Sequence, residues 1–188
     1  MRILPAFLLA CGCAASSSTS PPRAASAASA ISAATGPSAS ALIEPRSGSA
    51  LSGNAKFTAV QDGLGVHVEV QGATPGLHGV HIHEKGDCND PKAVSAGGHY
   101  NPNAGAHHGG PSTPVRHGGD LGNLEVDAGG KGTLDVVVAD LSVDSVQNGV
   151  VGRAIVVHEK ADDLQTDPAG NSGARIGCGV IVAPPIRQ

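Results

Sequence analysis

Short segments in which apolar and polar residues alternate are the feature that most restricts the fold of this chain. They lie at residues 57–60, 64–70, 79–83, 134–138, 154–158 and 176–182. A repeat of two residues is typical of strands with one buried face. Turn formers such as Asp62-Gly63 and Asn148-Gly149 lie between them at a spacing close to that of hairpins. No helical periodicity of useful length is present, so we expect an all-β fold, either an antiparallel sandwich or a barrel.

The composition agrees with a β fold. Beyond residue 40 the only aromatic residues are Phe57 and Tyr100, and Trp is absent, so the core has to be built from Val, Leu, Ile and Ala. Branched aliphatic residues favour strands. The same region holds all 16 acidic residues and 10 of the 12 basic residues, a formal net charge of −6. We therefore do not expect it to bind nucleic acid.

The first 13 residues are typical of an export signal. The apolar run from Ile3 to Ala10 is shorter than the roughly 20 residues that span a bilayer. Leu8-Leu9-Ala10-Cys11 resembles the lipobox of bacterial lipoproteins, which implies acylation of Cys11 and a lipid anchor. An ordinary cleaved signal peptide is the alternative, and Cys13 has no assigned role. Both interpretations predict an exported protein, and the lipobox predicts a lipoprotein of the periplasm or outer membrane.

Residues 14–40 differ from everything that follows them. They consist almost entirely of Ala, Ser, Thr, Pro and Gly, a composition that buries too little apolar surface to offset the entropy of ordering. We predict a flexible tether over 14–40 and one folded domain over 41–188.

Eight of the nine histidines lie between His78 and His158. His81-Ile82-His83 falls in a predicted strand, where residues two apart project from the same face. This pair alone does not distinguish a metal site from two surface histidines. Two long stretches, 84–119 and 159–174, are rich in Gly, Pro, Asp and Asn, and loops of this length in a compact domain are usually functional.

Further histidine motifs decide the interpretation. They are Gly97-Gly98-His99-Tyr100-Asn101-Pro102, His107-His108-Gly109-Gly110-Pro111, His117-Gly118-Gly119-Asp120 and His158-Glu159-Lys160-Ala161-Asp162-Asp163. With these motifs, residues 50–182 resemble the Cu,Zn superoxide dismutases. The resemblance implies an eight-stranded Greek-key β-barrel, flattened into a sandwich, with copper and zinc ions held outside it by the two long loops.

The resemblance also implies the ligands of both ions. The copper ligands would be His81, His83, His99 and His158, and the zinc ligands His99, His108, His117 and Asp120. His99 would bridge the two ions. Imidazole suits copper, and a zinc shell of three imidazoles and one carboxylate has no open position, which is typical of a structural zinc.

Five other residues in or near these motifs also need an assignment. His108 is preferred to His107 as the zinc ligand, because it directly precedes Gly109-Gly110-Pro111 and follows His99 by nine residues, a spacing similar to that in bacterial members of the family. His107 is therefore expected to face solvent. Asp162 matches a carboxylate that joins the outer nitrogens of His81 and His108, which would fix the ring orientations. His67 and His78 are not expected to bind metal.

The segment Arg175-Ile176-Gly177-Cys178-Gly179 resembles the closing motif of the family. This implies a disulfide between Cys88 and Cys178, a bond that persists in an exported protein; two reduced cysteines are the alternative. Arg175 matches an arginine beside copper, a planar cation able to hold a small anion.

The implied activity is dismutation of superoxide to oxygen and hydrogen peroxide, by alternating reduction and reoxidation of a histidine-bound copper. Arg175 would guide the anion and His99 would deliver a proton. A metal-buffering protein would need the ligands but not Arg175, and a zinc hydrolase would need an open zinc position. The sequence does not decide between a monomer and a homodimer.

Overall fold

The computed structural model describes residues 36–103 and 105–185. The predicted export signal with Cys11 and residues 14–35 of the predicted tether lie outside the described residues. Within these two described ranges, no helix has the length and hydropathy needed to cross a bilayer.

The described residues form eight strands and one short 3-10 helix. The strands are β1 Ser38–Pro45, β2 Ser52–Val60, β3 Gly63–Gln71, β4 Gly76–His83, β5 Asp120–Val126, β6 Lys131–Val138, β7 Ala154–His158 and β8 Arg175–Val180, and the 3-10 helix is Val94–Ala96. All strand pairs are antiparallel. They close into a barrel in the order β1-β2-β3-β6-β5-β4-β7-β8, which confirms the predicted all-β barrel.

Five of the six alternating segments of the sequence fall within a strand, and the sixth, residues 176–182, extends two residues past the end of β8. The strands β1 and β5 were not predicted. The first strand begins at Ser38, so residues 38–40 belong to the barrel and not to the tether. Its buried positions Ala39 and Ala41 alternate with small serines, which gives little contrast in hydropathy. In β5, Asp120, Leu121 and Gly122 are all buried beside a register shift against β4, and this removes the alternation.

The barrel core is aliphatic, as the composition predicts, with Phe57 fully buried among Val, Leu, Ile and Ala side chains. The two predicted long loops occupy residues 84–119, between β4 and β5, and residues 159–174, between β7 and β8. Because β4 pairs directly with β7, both loops leave from neighbouring strands. They cover the outer face of β4, whose last six residues are all buried.

Candidate metal centre

The outer face of β4 carries the first part of the site. His81 and His83 lie two residues apart on this strand and are fully buried. His158 ends the adjacent strand β7. His99 comes from the first loop, which folds back along β4: the backbone N–H of Tyr100 donates to the carbonyl of Ile82 at 2.7 Å, and His99 forms an isolated β-bridge with His83. Four imidazoles that are distant in sequence therefore converge.

The rings of these histidines are in contact. The ring centre of His81 lies 3.9 Å from that of His99 and 4.8 Å from that of His158, and His83 lies 5.0 Å from His99. One nitrogen from each of the four can lie within 4.8 Å of the other three. The structure thus brings together all four residues predicted to bind copper.

The predicted zinc ligands gather around the carboxylate of Asp120. Its Oδ1 lies 2.7 Å from Nδ1 of His99 and 3.1 Å from Nδ1 of His108, and its Oδ2 lies 3.4 Å from Nδ1 of His117. Ligand atoms of His81, His99, His108 and Asp120 all lie within 4.8 Å of one another. His117 is farther from the other rings, with its centre 5.6 Å from that of His99 and 6.0 Å from that of His108.

Six of these histidines have one buried ring nitrogen without a hydrogen-bond partner among the described residues. They are Nδ1 of His81, His108 and His117, and Nε2 of His83, His99 and His158. A buried nitrogen left unpaired costs about 1–3 kcal/mol, so six such atoms in one place would strongly destabilise the fold unless cations bind them. Unpaired imidazole nitrogens with a carboxylate are donors that fit both copper and zinc.

The opposite ring nitrogens are held by the protein. Asp162, fully buried, accepts from Nε2 of His81 at 2.7 Å and from Nε2 of His108 at 2.8 Å. Nδ1 of His83 donates to the carbonyl of Gly97 at 3.0 Å. Such partners fix the tautomer and orientation of each ring, and Asp162 lies where the resemblance predicts.

Asp162 is itself held in place by a residue that the sequence did not indicate. Its backbone N–H donates to Oδ1 of Asn123 at 2.7 Å, and the side-chain amide of Asn123 donates back to its carbonyl at 2.9 Å. Asn123 lies on β5, three residues after Asp120. An asparagine inside a strand has no sequence signal for such a role, since the contact depends on how the second loop packs over β5.

Burial controls the protonation of the histidines predicted to bind copper. It lowers the pKa of His83 and His158 well below the usual 6.5, and it lowers the pKa of His99 to about 4 against the opposing effect of Asp120. Burial also lowers the pKa of His108, but the carboxylates of Asp120 and Asp162 outweigh it and raise this pKa to about 10. Neutral imidazole is the form that binds a metal, so cation binding at His108 must displace a proton.

Arg175, the first residue of β8, is half-buried beside the histidines predicted to bind copper. Its Nη1 donates to the carbonyl of Ala93 at 2.6 Å and its Nη2 to the carbonyl of Gly97 at 2.7 Å. Gly97 also accepts from His83, so the guanidinium and this imidazole share one carbonyl. The two loop carbonyls hold the cation rigidly next to the histidines.

A family model described as copper/zinc superoxide dismutase (SODC) matches residues 51–181. The chain belongs to this family. This dismutase is 48% identical over 138 residues to the extracellular superoxide dismutase [Cu-Zn] of Drosophila melanogaster, covering 69% of this chain and 74% of the relative. It is 43% identical over 143 residues to the superoxide dismutase [Cu-Zn] of Deinococcus radiodurans, covering 71% of this chain and 78% of the relative.

The fold of the dismutase is also similar to a crystal structure of the clock protein EA4. The TM-score is 0.71 and the sequence identity 39%, over 80% of this chain and 96% of that one. Family membership makes the chain an oxidoreductase that dismutes superoxide, with copper and zinc as cofactors.

The dismutase has the predicted disulfide between Cys88 in the first loop and Cys178 in β8. The bond joins the loop that carries His99 to the barrel wall. Nε of Arg46 donates to the carbonyl of Cys88 at 2.8 Å, which ties the same point to the end of β1.

Three histidines of the dismutase are not among the predicted metal ligands. His78 is buried, with Nδ1 donating to the carbonyl of His158 at 2.7 Å. His67 lies on the barrel surface with Asp135 at 2.7 Å. His107 has a side chain that is 79% exposed and pairs with Asp167 at 2.6 Å.

Proposed function

We propose that this dismutase acts at a copper ion held by one group of side chains and a zinc ion held by an adjoining group. The copper ligands are His81, His83, His99 and His158, and the zinc ligands are His99, His108, His117 and Asp120. The observation that carries this assignment is the set of six buried imidazole nitrogens that have no hydrogen-bond partner in the part of the chain that the structure describes.

The role of His99 as a bridge is supported by the way its ring is placed. Its Nδ1 lies 2.7 Å from the carboxylate of Asp120, and its Nε2 is buried and unpaired on the side of His81 and His83. It therefore offers one nitrogen to each group. In contrast, His81 and His108 each use one nitrogen on Asp162 and have a single nitrogen left.

Copper, when bound, supplies the one-electron chemistry that oxidises one superoxide and reduces the next. The protein orients the rings through Asp162, Gly97 and Asp120 and excludes water by covering β4 with the loops. Nε2 of His99 is the atom that we propose holds a proton and passes it to the reduced substrate. Asp120, at the other nitrogen, keeps the ring in position meanwhile.

Arg175 is proposed to attract superoxide to this site. The folded domain is acidic overall, so an anion needs a local positive potential near the reactive centre. Two of the guanidinium N–H groups of Arg175 are used by Ala93 and Gly97, and a guanidinium has five. The others are available to an anion, and the exposed Lys160 near His158 adds positive charge at the same end of the barrel.

Export is the proposed route of this protein, with anchoring through an acylated Cys11 in the periplasm or outer membrane. The support is Leu8-Leu9-Ala10-Cys11 and the Cys88–Cys178 disulfide, a bond that persists in oxidising compartments. The relative from Drosophila melanogaster is called extracellular. The alternative is an ordinary signal peptide that leaves no lipid on the protein.

A homodimer is the proposed assembly, through the surface where β1 meets the end of β8. Leu42 is 70% exposed and Val182 is 52% exposed. Val182 pairs with Ser40, which faces outward like Leu42 two residues further along β1. Sedimentation of Leu42→Lys against the parent protein tests this, and an unchanged monomeric mass for both proteins would reject it.

Metal analysis of the purified protein, paired with a superoxide-decay assay, tests the proposed site. We expect one copper and one zinc per chain, loss of activity when copper is removed, and its return when copper is restored. Both metals bound without faster decay would favour a metal-buffering protein instead. Zinc alone with hydrolytic activity would favour a zinc hydrolase.

A further inference from the structure

Asp167, in the second loop, contacts two consecutive residues of the first loop. Its Oδ1 accepts the backbone N–H of His108 at 2.7 Å, and its Oδ2 lies 2.6 Å from Nδ1 of His107. The carboxylate therefore joins two loops whose contacting residues are 59 positions apart in the chain.

His108 is held by the second loop at two separate points. Asp162 accepts from Nε2 of its ring, and Asp167 accepts from its backbone N–H. The first contact sets the rotation of the ring, while the second sets the position of the backbone from which the ring extends. Together they leave the unpaired Nδ1 of His108 little freedom to move away from Asp120, 3.1 Å distant.

His107 extends the same network toward another predicted ligand. Its carbonyl accepts the backbone N–H of His117 at 3.1 Å, while its ring donates to Asp167. An exposed histidine–carboxylate pair contributes little stability by itself. The pair acts instead on geometry. Because Oδ2 of Asp167 accepts from the ring of His107, Oδ1 of Asp167 is directed at the backbone N–H of His108.

We propose that Asp167 is a positioning residue for the zinc site, holding the backbone of His108 while His107 orients its carboxylate. The inference rests on the proposed assignment of His108 and His117 as zinc ligands. Loss of a partner that orients a metal ligand typically lowers metal affinity about 10–100-fold. Asp167 acts on the backbone and not on the ring, so we expect an effect of about 10-fold, in the lower part of that range.

The test uses the metal-loaded protein and measures the rate at which zinc passes to a coloured chelator. We expect Asp167→Ala to release zinc about 10-fold faster than the parent and to keep its copper. Asp167→Asn should release zinc at a rate between those of the parent and Asp167→Ala, because its amide oxygen can still accept from the backbone N–H of His108. The control is Gln165→Ala, in the same loop, whose side chain makes no hydrogen bond among the described residues; it should match the parent.

Two further measurements separate positioning from general support of the loop. Cobalt(II) in the zinc site should show an altered visible spectrum in Asp167→Ala, because the spectrum reports ligand geometry and not global stability. His107→Ala should speed zinc release less than Asp167→Ala does, and should add nothing when Asp167 is already Ala. Additive effects of the two substitutions would overturn the role given to His107.

The His108→Ala variant separates failure of this inference from failure of the proposed site. If His108→Ala keeps its zinc as well as the parent does, the ligand assignment itself is wrong. If His108→Ala loses zinc while Asp167→Ala shows the parent release rate and cobalt spectrum, the ligands are right and the role of Asp167 is rejected.

Discussion

Gly170 packs directly against the carboxylate of Asp162, so that a β-carbon on Gly170 would overlap Oδ1 of Asp162 and lie 2.6 Å from Nε2 of His108. Its φ of +61° is also in the left-handed region that favours glycine. The second loop can therefore pass this close to the hydrogen bond between Asp162 and His108 only at a glycine, which has no side chain.

Gly170→Ala should weaken zinc binding and lower the thermal midpoint of the loaded protein, because the new methyl group has to displace Asp162 or His108. Gly152→Ala is the matched control, since Gly152 also has a positive φ, +82°, but no atom near its missing side chain. It should show only the cost of placing Ala in the left-handed region, about 1–2 kcal/mol. Equal zinc release from the two variants, measured with a chelator, would contradict the steric argument.

Asp162→Asn should impair metal binding although Asp162 is not proposed as a ligand. Its two oxygens accept from His81 and His108, and an amide would present an N–H group to one of these N–H donors. We expect about 10–100-fold weaker binding, or roughly 1.4–2.7 kcal/mol, by metal titration.

Asp163→Asn is the control of identical chemistry. Among the described residues, the Asp163 side chain bonds only within its own loop, to the backbone N–H groups of Gln165 and Thr166 and to the amide of Asn171. Its metal content should stay near that of the parent. If Asp163→Asn proves the damaging change and Asp162→Asn harmless, the assignment of Asp162 is wrong.

Arg175→Glu should leave both metals bound and slow superoxide decay at low ionic strength by about 10-fold or more, since electrostatic guidance raises association rates by about 10–10³. Added salt should narrow the difference. The control is Lys56→Glu, which changes the net charge of the protein by the same amount. Lys56 lies on β2, a strand that carries none of the proposed ligands, so superoxide decay should stay near the parent rate. Equal rates for the parent and Arg175→Glu would reject guidance by Arg175.

Replacing both Cys88 and Cys178 by Ser should destabilise the metal-free protein by about 4–5 kcal/mol, on the chain-entropy relation for a sequence separation of 90 residues. The measurement is urea unfolding with and without reductant. Reductant should lower the stability of the parent to that of the double variant and should not affect the variant. Equal stability of the oxidised parent and the variant would contradict this prediction.

Cys11→Ser should release the protein from the membrane fraction, or leave it unprocessed, because acylation requires the thiol. Cys13→Ser is the control and should remain membrane-bound. Fractionation of cells expressing each variant gives the answer, and membrane association of Cys11→Ser equal to that of the parent would reject the lipid anchor.

The sequence predicted the parts of the fold that have a local pattern. Residues 64–70 alternate along a single strand and lie within β3, and the Gly- and Pro-rich stretches coincide with the loops at 84–119 and 159–174. The strands β1 and β5 lack that pattern, because small residues line one and a register shift interrupts the other. The strand propensity of the residues in β1 and β5 cannot replace the missing pattern, because these residues become extended only when they are buried in the closed barrel.

The sequence by itself also indicated candidate metal ligands, because its histidine motifs resemble those of the family. These candidates are His81, His83, His99, His108, His117, His158 and Asp120. Only the tertiary structure decided which ring nitrogen of each histidine is unpaired among the described residues, and that Asn123, Asp167 and Gly170 lie against Asp162 or His108. The physical reason is that the contact of Asn123 with Asp162 spans 39 positions of the chain and that of Asp167 with His108 spans 59. They exist only once β4, β5 and the two loops are packed together, so no local spacing can encode them.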